Sequence, residues 1–169
     1  MTHKKDLQII FRPFSWNEFE KHSDLVRRHF GTDADPGQIP PEPEYAKKML
    51  QLNRRCVLYA DFPNGKPVGS AFAFPTTSEL IGQFDRKEIT ERELFERTPI
   101  QPEYEVIYAC SVMVIRSMRR KGIGKTLMTK VLTELSNDYP EADVFYWATT
   151  KEGEALAANM KADTGLAKD

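Results

Sequence analysis

The sequence of 169 residues has only two cysteines, almost no net charge and no long apolar run. Cys56 and Cys110 are too few for a disulfide-rich secreted scaffold. Each lies in an apolar, strand-like run, so we expect buried, reduced thiols, with a disulfide between them as the less favoured alternative. No stretch approaches about 18 apolar residues, so no transmembrane helix is predicted. The first residues lack the apolar region of a signal peptide, which favours a cytoplasmic protein.

The charge balance also excludes one class of partner. The 24 basic and 25 acidic residues give a formal net charge of −1, which argues against a nucleic-acid-binding protein that relies on bulk positive charge. Neither a membrane partner nor a metal site is predicted. The apolar share of 40% and the aromatic share of 11% are typical of a globular protein, and the length predicts a single domain over residues 1–169.

The most informative stretch covers residues 104–135. An apolar segment over residues 106–114 predicts a buried strand, and a basic loop follows it. After the loop, apolar residues recur at helical spacing, namely Ile123, Leu127, Met128, Val131, Leu132 and Leu135. The order is therefore strand, glycine-containing turn and helix. The first amides of such a helix have no partner within the helix, and with the helix dipole and nearby basic side chains they suit a phosphate group.

Two common phosphate-binding motifs do not fit this turn. A nucleotide-binding P-loop needs a glycine where Arg119 stands, and a dinucleotide-binding fingerprint needs one where Leu127 stands. What remains is the pattern R-x-x-G-x-G, which extends over residues 119–124 and follows Val114 at the spacing V-x-x-x-x-R-x-x-G-x-G. In this motif, with its strand and its helix, the chain resembles the GNAT superfamily of acyl-CoA N-acyltransferases. The competing interpretation is a basic surface turn before an ordinary helix.

The remaining pattern predicts an α/β (α+β) domain. Strands are predicted over residues 7–12, 55–61, 67–74 and 142–148, besides the central strand. Helices are predicted over residues 16–29, 43–53, 123–135 and 151–162. Ser15 and Glu18 match a capping box at the first helix, and Asn64-Gly65 predicts a hairpin turn. The resemblance implies a mixed, mostly antiparallel central sheet flanked by helices.

Two features depart from the family pattern. About thirty residues, 75–103, precede the central strand, with short helices predicted over residues 78–84 and 89–97. This segment is either a solvated insertion, a wall of the acceptor pocket or a dimer contact. The sequence ends at Asp169, where family members usually continue with a hairpin of two strands, so we expect a shortened C-terminus. The insertion or a partner chain then completes that side.

The resemblance implies that acetyl-CoA or another acyl-CoA is the co-substrate, with its pyrophosphate on the amides of the glycine turn and its pantetheine arm beside the central strand. The implied cofactor-binding residues are Val112, Met113, Val114, Arg119, Arg120, Lys121, Gly122, Ile123, Gly124, Lys125 and Thr126. The implied reaction is direct attack of a primary amine on the thioester. The amine must be neutral to attack, so a base is needed, and the oxyanion needs a donor such as a backbone N–H near Val112.

The catalytic residues are less well determined. The family often has a Glu on the central strand, where this chain has Tyr108. Glu105 lies three residues earlier, on the opposite face unless a β-bulge shifts the alternation, and it is the first candidate for the base. The family's usual tyrosine on the last helix is Lys161 here. Tyr146 on the fifth strand is an alternative acid, although a strand tyrosine is often a core residue.

The acceptor is predicted from charge alone. The loop between the first two helices contains Asp33, Asp35, Glu42 and Glu44 and no basic residue, which favours a cationic acceptor such as a polyamine, an amino sugar or a lysine side chain. An ordinary acidic loop explains it equally well. Two other functions stay open, which are a CoA-binding module with weak or no catalysis that acts through a protein partner, and a homodimer formed through an open sheet edge.

Overall fold

The computed structural model describes residues 8–31 and 35–146. Within these ranges the chain forms five strands and five α-helices. The elements are β1 (Ile10–Pro13), α1 (Trp16–Phe30), α2 (Pro43–Leu52), β2 (Val57–Asp61), β3 (Pro67–Thr76), α3 (Ser78–Asp85), α4 (Glu91–Arg97), β4 (Val106–Val114), a 3-10 turn (Arg116–Met118), α5 (Ile123–Asp138) and β5 (Asp143–Tyr146). The predicted last helix, the end of the fifth strand and the shortened C-terminus lie outside the described residues.

The five strands form one sheet in the order β1-β2-β3-β4-β5. All neighbouring pairs are antiparallel except β4 and β5, which are parallel. The prediction of a mixed, mostly antiparallel sheet with flanking helices is therefore confirmed. β1 continues to Pro13, one residue beyond its predicted end. Proline is tolerated there because β1 is an edge strand, where a missing backbone N–H breaks no ladder.

The predicted hairpin turn connects β2 and β3. Gly65 has φ of +87°, and the Asn64 side chain accepts a hydrogen bond from the Lys66 amide at 3.0 Å. Four residues after the turn, Gly69 lies directly against β4. A Cβ at this position would lie 2.3 Å from the Met113 carbonyl oxygen, so only glycine fits this close approach of the two strands.

β4 contains a β-bulge at Cys110. Ala73 of β3 pairs with Ala109, whereas the adjacent Phe72 pairs with Ser111, so Cys110 is the extra residue. A bulge of this kind interrupts the alternation of side chains between the two faces of a sheet. The irregularity that the sequence left open is present, but it lies on the C-terminal side of Tyr108 rather than between Glu105 and Tyr108.

Helix α5 covers one face of the sheet. Its buried residues are those that the helical spacing predicts, namely Ile123, Leu127, Met128, Val131, Leu132 and Leu135. A Cβ on Gly124 would contact the side chains of Val112 and Val114 of β4 at 3.4 and 3.5 Å. The glycine turn therefore sits directly over the C-terminal half of β4. Among the described residues, no helix has the length and apolar character needed to cross a membrane.

Helix α1 buries a polar face rather than an apolar one. Its apolar residues Phe19, Val26 and Phe30 are only half-buried, whereas Glu18, His22 and Ser23 are buried. Ser15 caps the helix as predicted, since its hydroxyl accepts a hydrogen bond from the Glu18 amide at 3.0 Å. The Glu18 side chain instead joins a buried charge cluster, described below.

The two predicted helices of the insertion are present as α3 and α4. Thr90 and Glu93 form a complete capping box at α4, with both reciprocal hydrogen bonds. Leu94 and Phe95 of α4 are almost completely buried, and Phe95 contacts Phe72 and Phe74 of β3. The insertion is thus packed into the core on the sheet face opposite α5.

We expect Leu132→Ala to lower the free energy of unfolding by about 2–5 kcal/mol, because it leaves a cavity under α5. Leu132 has no exposed surface. The measurement is urea denaturation followed by circular dichroism. The neighbouring Thr133→Ala is the control, since Thr133 is exposed and its replacement should change the free energy by less than about 0.5 kcal/mol. Equal effects of the two substitutions would contradict the described packing of α5.

Candidate functional site

A cavity of about 460 Å³ lies between the sheet and the helices on the face opposite α5. Its walls come from α1, the α1–α2 loop, α2, the insertion helices and strands β2–β4. From β4 it receives two consecutive residues, Cys110 and Ser111. Regular alternation would direct these two side chains to opposite faces of the sheet, so the bulge is what brings both to the cavity.

Glu91 of α4 forms a hydrogen-bonded group with the central strand inside this cavity. Its Oε2 accepts a hydrogen bond from the Tyr108 hydroxyl at 2.6 Å, and its carboxylate also pairs with the Cys110 thiol. Burial raises the pKa of Glu91, and the two hydrogen bonds oppose this shift only in part. A carboxyl group with a raised pKa beside a cavity is a candidate for accepting and releasing a proton during a reaction.

A second polar cluster links α1 to β2 at the cavity wall. The completely buried carboxylate of Asp61 accepts hydrogen bonds from Lys21 Nζ and His22 Nε2, each at 2.8 Å. Arg12 Nε lies 3.2 Å from the same carboxylate, and Glu18 accepts a bond from Lys21 at 2.8 Å. Two carboxylates thus face two basic side chains, which balances the charge of the cluster.

His22 is held by this cluster in one orientation. Burial raises the pKa of Asp61, but hydrogen bonds from Lys21 and His22 outweigh it and lower that pKa overall. The ionised carboxylate only accepts hydrogen bonds, so His22 Nε2 carries the proton. The pKa of His22 is lowered because the ring is buried, although Asp61 opposes the shift. Its Nδ1 has no hydrogen-bond partner in the described part of the chain.

The Glu18, His22 and Asp61 ligand atoms lie within 4.8 Å of one another, which is close enough for a metal ion. Lys21 and Arg12, however, already contact the carboxylates that would ligate it. A metal ion would have to displace both basic side chains from a buried site. The cluster is therefore best described as an ionic connection between α1 and the sheet.

The glycine turn lies at the other side of β4. Arg120 and Gly122 both have positive φ, at +64° and +81°, and alternating backbone conformations of this kind turn successive amides toward one point. No side chain of the described residues caps the N-terminus of α5, and a Cβ on Gly122 would contact none of their atoms within 4 Å. Arg119, Arg120 and Lys121 are exposed around these amides.

The edge of β4 beside this turn is not paired with β5 in the described residues. The parallel pairing begins at Val106 with Asp143 and reaches Ala109 with Tyr146, which is the last described residue. Beyond Ala109, β4 pairs with β3 through Val114. Val112 and Val114 face α5, whereas Met113 is buried on the opposite face.

The three residues predicted for catalysis lie in different surroundings. Glu105 is exposed just before β4, and its carbonyl oxygen accepts a hydrogen bond from the Asp143 amide. It lies five residues before Cys110, roughly 17 Å along an extended strand, and it does not line the cavity. Tyr108 is completely buried and reaches the cavity group through Glu91. Tyr146 is half-buried on β5, where burial raises its pKa.

Sequence reasoning missed Glu91 and His22. Glu91 lies between Thr90 and Glu93, the capping residues of α4, and the alternation of charges there gives no sign of burial. His22 falls on α1 at i+4 from Glu18, and this spacing was a usable signal for a paired polar face. Both cysteines are free thiols, as predicted. Burial raises the pKa of each.

The acidic loop contributes one residue to the cavity. Asp35 lines it from the exposed rim, and its carboxylate accepts hydrogen bonds from the Gly37 amide and the Gln38 side chain. Glu42 and Glu44 are exposed and do not contribute to the lining. Asp33 lies outside the described residues.

Known proteins share this fold. A family model described as the acetyltransferase (GNAT) family matches residues 19–160. No match was found among the curated proteins.

Solved structures with the same fold include three acetyltransferases of different kinds. Arabidopsis thaliana NAA60, solved in complex with acetyl-CoA, is 19% identical with a TM-score of 0.59, and the match covers 91% of this chain and 86% of that one. An aminoglycoside acetyltransferase from an uncultured soil metagenomic sample is 18% identical with a TM-score of 0.56, and the match covers 97% of this chain and 93% of that one. A ribosomal-protein-alanine N-acetyltransferase from Brucella melitensis is 15% identical with a TM-score of 0.54, and the match covers 90% of this chain and 91% of that one. At these identities the likeness shows the fold.

The lowered pKa of His22 predicts a pH dependence of stability. The unfolded chain binds a proton below about pH 6.5 that the folded chain does not bind until its lower pKa is reached. The free energy of unfolding should therefore fall as the pH drops from about 7 to 5, by up to about 1.4 kcal/mol per pH unit from this group. The measurement is urea denaturation at several pH values.

His22→Asn should reduce this slope, because asparagine does not titrate. Asp61, whose pKa is lowered, titrates below this window. His29 also has a lowered pKa, caused by burial and by the charge of Arg119, so His29→Gln is the control that removes its contribution separately. Equal slopes for the wild type and for His22→Asn would contradict the neutral, buried state of His22.

Proposed function

Since the chain belongs to the GNAT acetyltransferase family, we propose that it is an acyl-CoA-dependent N-acyltransferase that transfers the acetyl group of acetyl-CoA to a primary amine. The observation that carries this proposal is the uncapped N-terminus of α5 behind the exposed glycine turn. A phosphate group is stabilised there by backbone amides and by the helix dipole, and Arg120 and Lys121 add positive charge. The known acetyl-CoA complex of a protein with the same fold supports this donor.

The proposed donor site comprises the residues inferred from the motif. Arg119 is a partial exception, because its Nε donates a hydrogen bond to the Val114 carbonyl oxygen at 3.0 Å and so supports the turn. Arg120 and Lys121 carry the charges for the pyrophosphate. The pantetheine arm lies in this proposal along the β4 edge near Val112 and Val114, where pairing with β5 in the described residues has ended.

The proposed chemistry is direct transfer. The neutral amine attacks the thioester carbonyl carbon, a C–N bond forms and the C–S bond breaks. A backbone N–H near Val112 is the proposed donor to the oxyanion. The thiolate that leaves takes up a proton as CoA is released. The bulge at Cys110 brings the cavity and the proposed donor edge together on neighbouring residues of one strand.

The donor site predicts a specific response to acetyl-CoA in thermal unfolding. At about a hundred times its dissociation constant, acetyl-CoA should stabilise the wild type by about 2.7 kcal/mol. The double variant Arg120→Asn, Lys121→Gln removes two charges, and Asn tolerates the positive φ of position 120. If its dissociation constant rises about tenfold, the stabilisation at the same concentration falls to about 1.4 kcal/mol.

Arg54→Gln is the matched control. Arg54 is exposed before β2, and its neighbours Asn53 and Arg55 contact Asp138 at the far end of α5. That end lies roughly 24 Å from the glycine turn along a helix of this length. If acetyl-CoA does not change the melting temperature of the well-folded wild type, the proposal is overturned. A shift without release of free thiol from acetyl-CoA across an amine panel would support a binding module in its place.

A further inference from the structure

We propose that the acceptor is a primary amine on an apolar, aromatic-sized body, that it binds in the cavity with its ammonium group against Glu91, and that Glu91 is the general base. This inference rests on the proposed function, since it names the acceptor and the base for that transfer. It assigns a catalytic role to the insertion before β4, where the sequence resemblance indicated no site residue.

The lining of the cavity indicates that the ligand has an apolar body. Seven of its residues are aromatic, from α1, α2, α3, α4 and strands β2 and β3, namely Phe19, Phe30, Tyr45, Tyr59, Phe72, Phe84 and Phe95. Aliphatic side chains of Val26, Ile39 and Met49 fill the spaces between them. A volume of about 460 Å³ is within the range of small-molecule sites. Such walls favour a ligand that buries hydrocarbon rather than one that needs many hydrogen bonds.

The charges of the lining indicate that the ligand carries an ammonium group. Among the described residues, the cavity is lined by two carboxylates, Glu91 and Asp35, and by no lysine or arginine. The two carboxylates interact, because the charge of Asp35 contributes to the raised pKa of Glu91. Asp35 is exposed at the rim and Glu91 is partly buried. A cation entering past Asp35 is therefore drawn toward Glu91.

The position of Glu91 relative to β4 indicates the role of a base. Its carboxylate contacts Tyr108 and Cys110, which immediately precede the stretch of β4 proposed to hold the thioester. Glu91 takes one proton from the ammonium group, and the neutral amine that results attacks the thioester carbonyl. The second amine proton leaves with the sulfur, so that the products are the amide and CoA thiol. Glu91 then returns its proton to water.

The same geometry disfavours a polyamine or an amino sugar. Most of the lining is aromatic or aliphatic, so each additional ammonium or hydroxyl group of such a ligand would depend on the few uncharged polar side chains there, such as Gln38, Ser70 and Ser111. An unpaired polar group of this kind costs free energy when it is buried. One ammonium at one end and an apolar body at the other matches the cavity. The range of cationic acceptors predicted from the acidic loop is thereby reduced to amines with an apolar body.

The test uses two ligands with the same apolar body, 2-phenylethylamine with a charged ammonium group and 2-phenylethanol with a neutral hydroxyl group, and their binding is measured by calorimetry with CoA present. Glu91→Gln keeps an acceptor for the Tyr108 hydroxyl and removes the charge. It should weaken binding of 2-phenylethylamine more than tenfold and change binding of 2-phenylethanol less than twofold. Glu88→Gln is the control, since Glu88 is exposed on the same insertion and does not line the cavity. Equal loss of both ligands would overturn recognition of the ammonium group by Glu91.

Turnover with acetyl-CoA tests the base. Glu91→Gln should lower kcat for 2-phenylethylamine by about 10²–10⁴-fold with an unchanged KM for acetyl-CoA. Glu91→Asp keeps the charge and should retain an intermediate kcat. It replaces Glu91→Gln as the test variant if the Gln variant does not fold. A kcat for Glu91→Gln within twofold of the wild type would overturn the role of Glu91 as base, whereas a kcat for Glu91→Asp well above that of Glu91→Gln supports it.

The outcomes separate this inference from the proposed function. Preference for spermidine or an aminoglycoside over 2-phenylethylamine, by kcat/KM, would overturn the apolar acceptor and leave acetyl transfer standing. Binding of acetyl-CoA without acetylation of any apolar amine would also overturn it. Failure of acetyl-CoA to bind would instead remove the proposed function itself, and the inference with it. Preference for 2-phenylethylamine of tenfold or more supports the inference.

Discussion

The bulge at Cys110 is the constraint on which the rest of the site depends. Before it, Tyr108 lies on the cavity face of the sheet. After it, Ser111 returns to that face while Val112 and Val114 turn toward α5. One extra residue therefore gives a single strand two functions, a cavity wall on one side and a support for the glycine turn on the other. A regular strand could not place Cys110 and Ser111 together at the cavity.

The ionic cluster at Asp61 has a different task, which is to hold α1 against the sheet. Its carboxylates are buried, whereas Arg12 and Lys21 are partly exposed, and we expect such a cluster to fix the orientation of the helix more than it adds to net stability. The position of α1 in turn defines one wall of the cavity through Phe19, His22 and Val26. The opposite wall comes from the insertion. Both walls are thus held by buried polar contacts, Asp61 with His22 on one side and Glu91 with Tyr108 on the other.

Much of the fold could be predicted from the sequence because its signals are local. The capping residue Ser15, the Asn64-Gly65 turn and the helical spacing of α5 each depend on residues close together in the chain. The glycine turn was predictable for the same reason. Glu91 was not, because its role arises from Tyr108, seventeen residues away, and a charged residue beside Arg92 and Glu93 has the pattern of a solvated helix. The partner of His22 is thirty-nine residues away on β2, so its burial depends on tertiary packing.

The insertion begins and ends at neighbouring positions of the sheet, since Thr76 at the end of β3 pairs directly with Val106 at the start of β4. A short turn could close the same two strands without altering their register, and the entropy of closing a loop rises only slowly with its length. The pairing of the two strands therefore does not require the segment, although its buried residues Leu94 and Phe95 belong to the core. Exchanging the segment would replace one wall of the cavity and the Glu91 carboxylate, while the strand edge and the glycine turn stayed as they are. The proposed acceptor cavity and the proposed donor site can therefore change independently in a chain of this architecture.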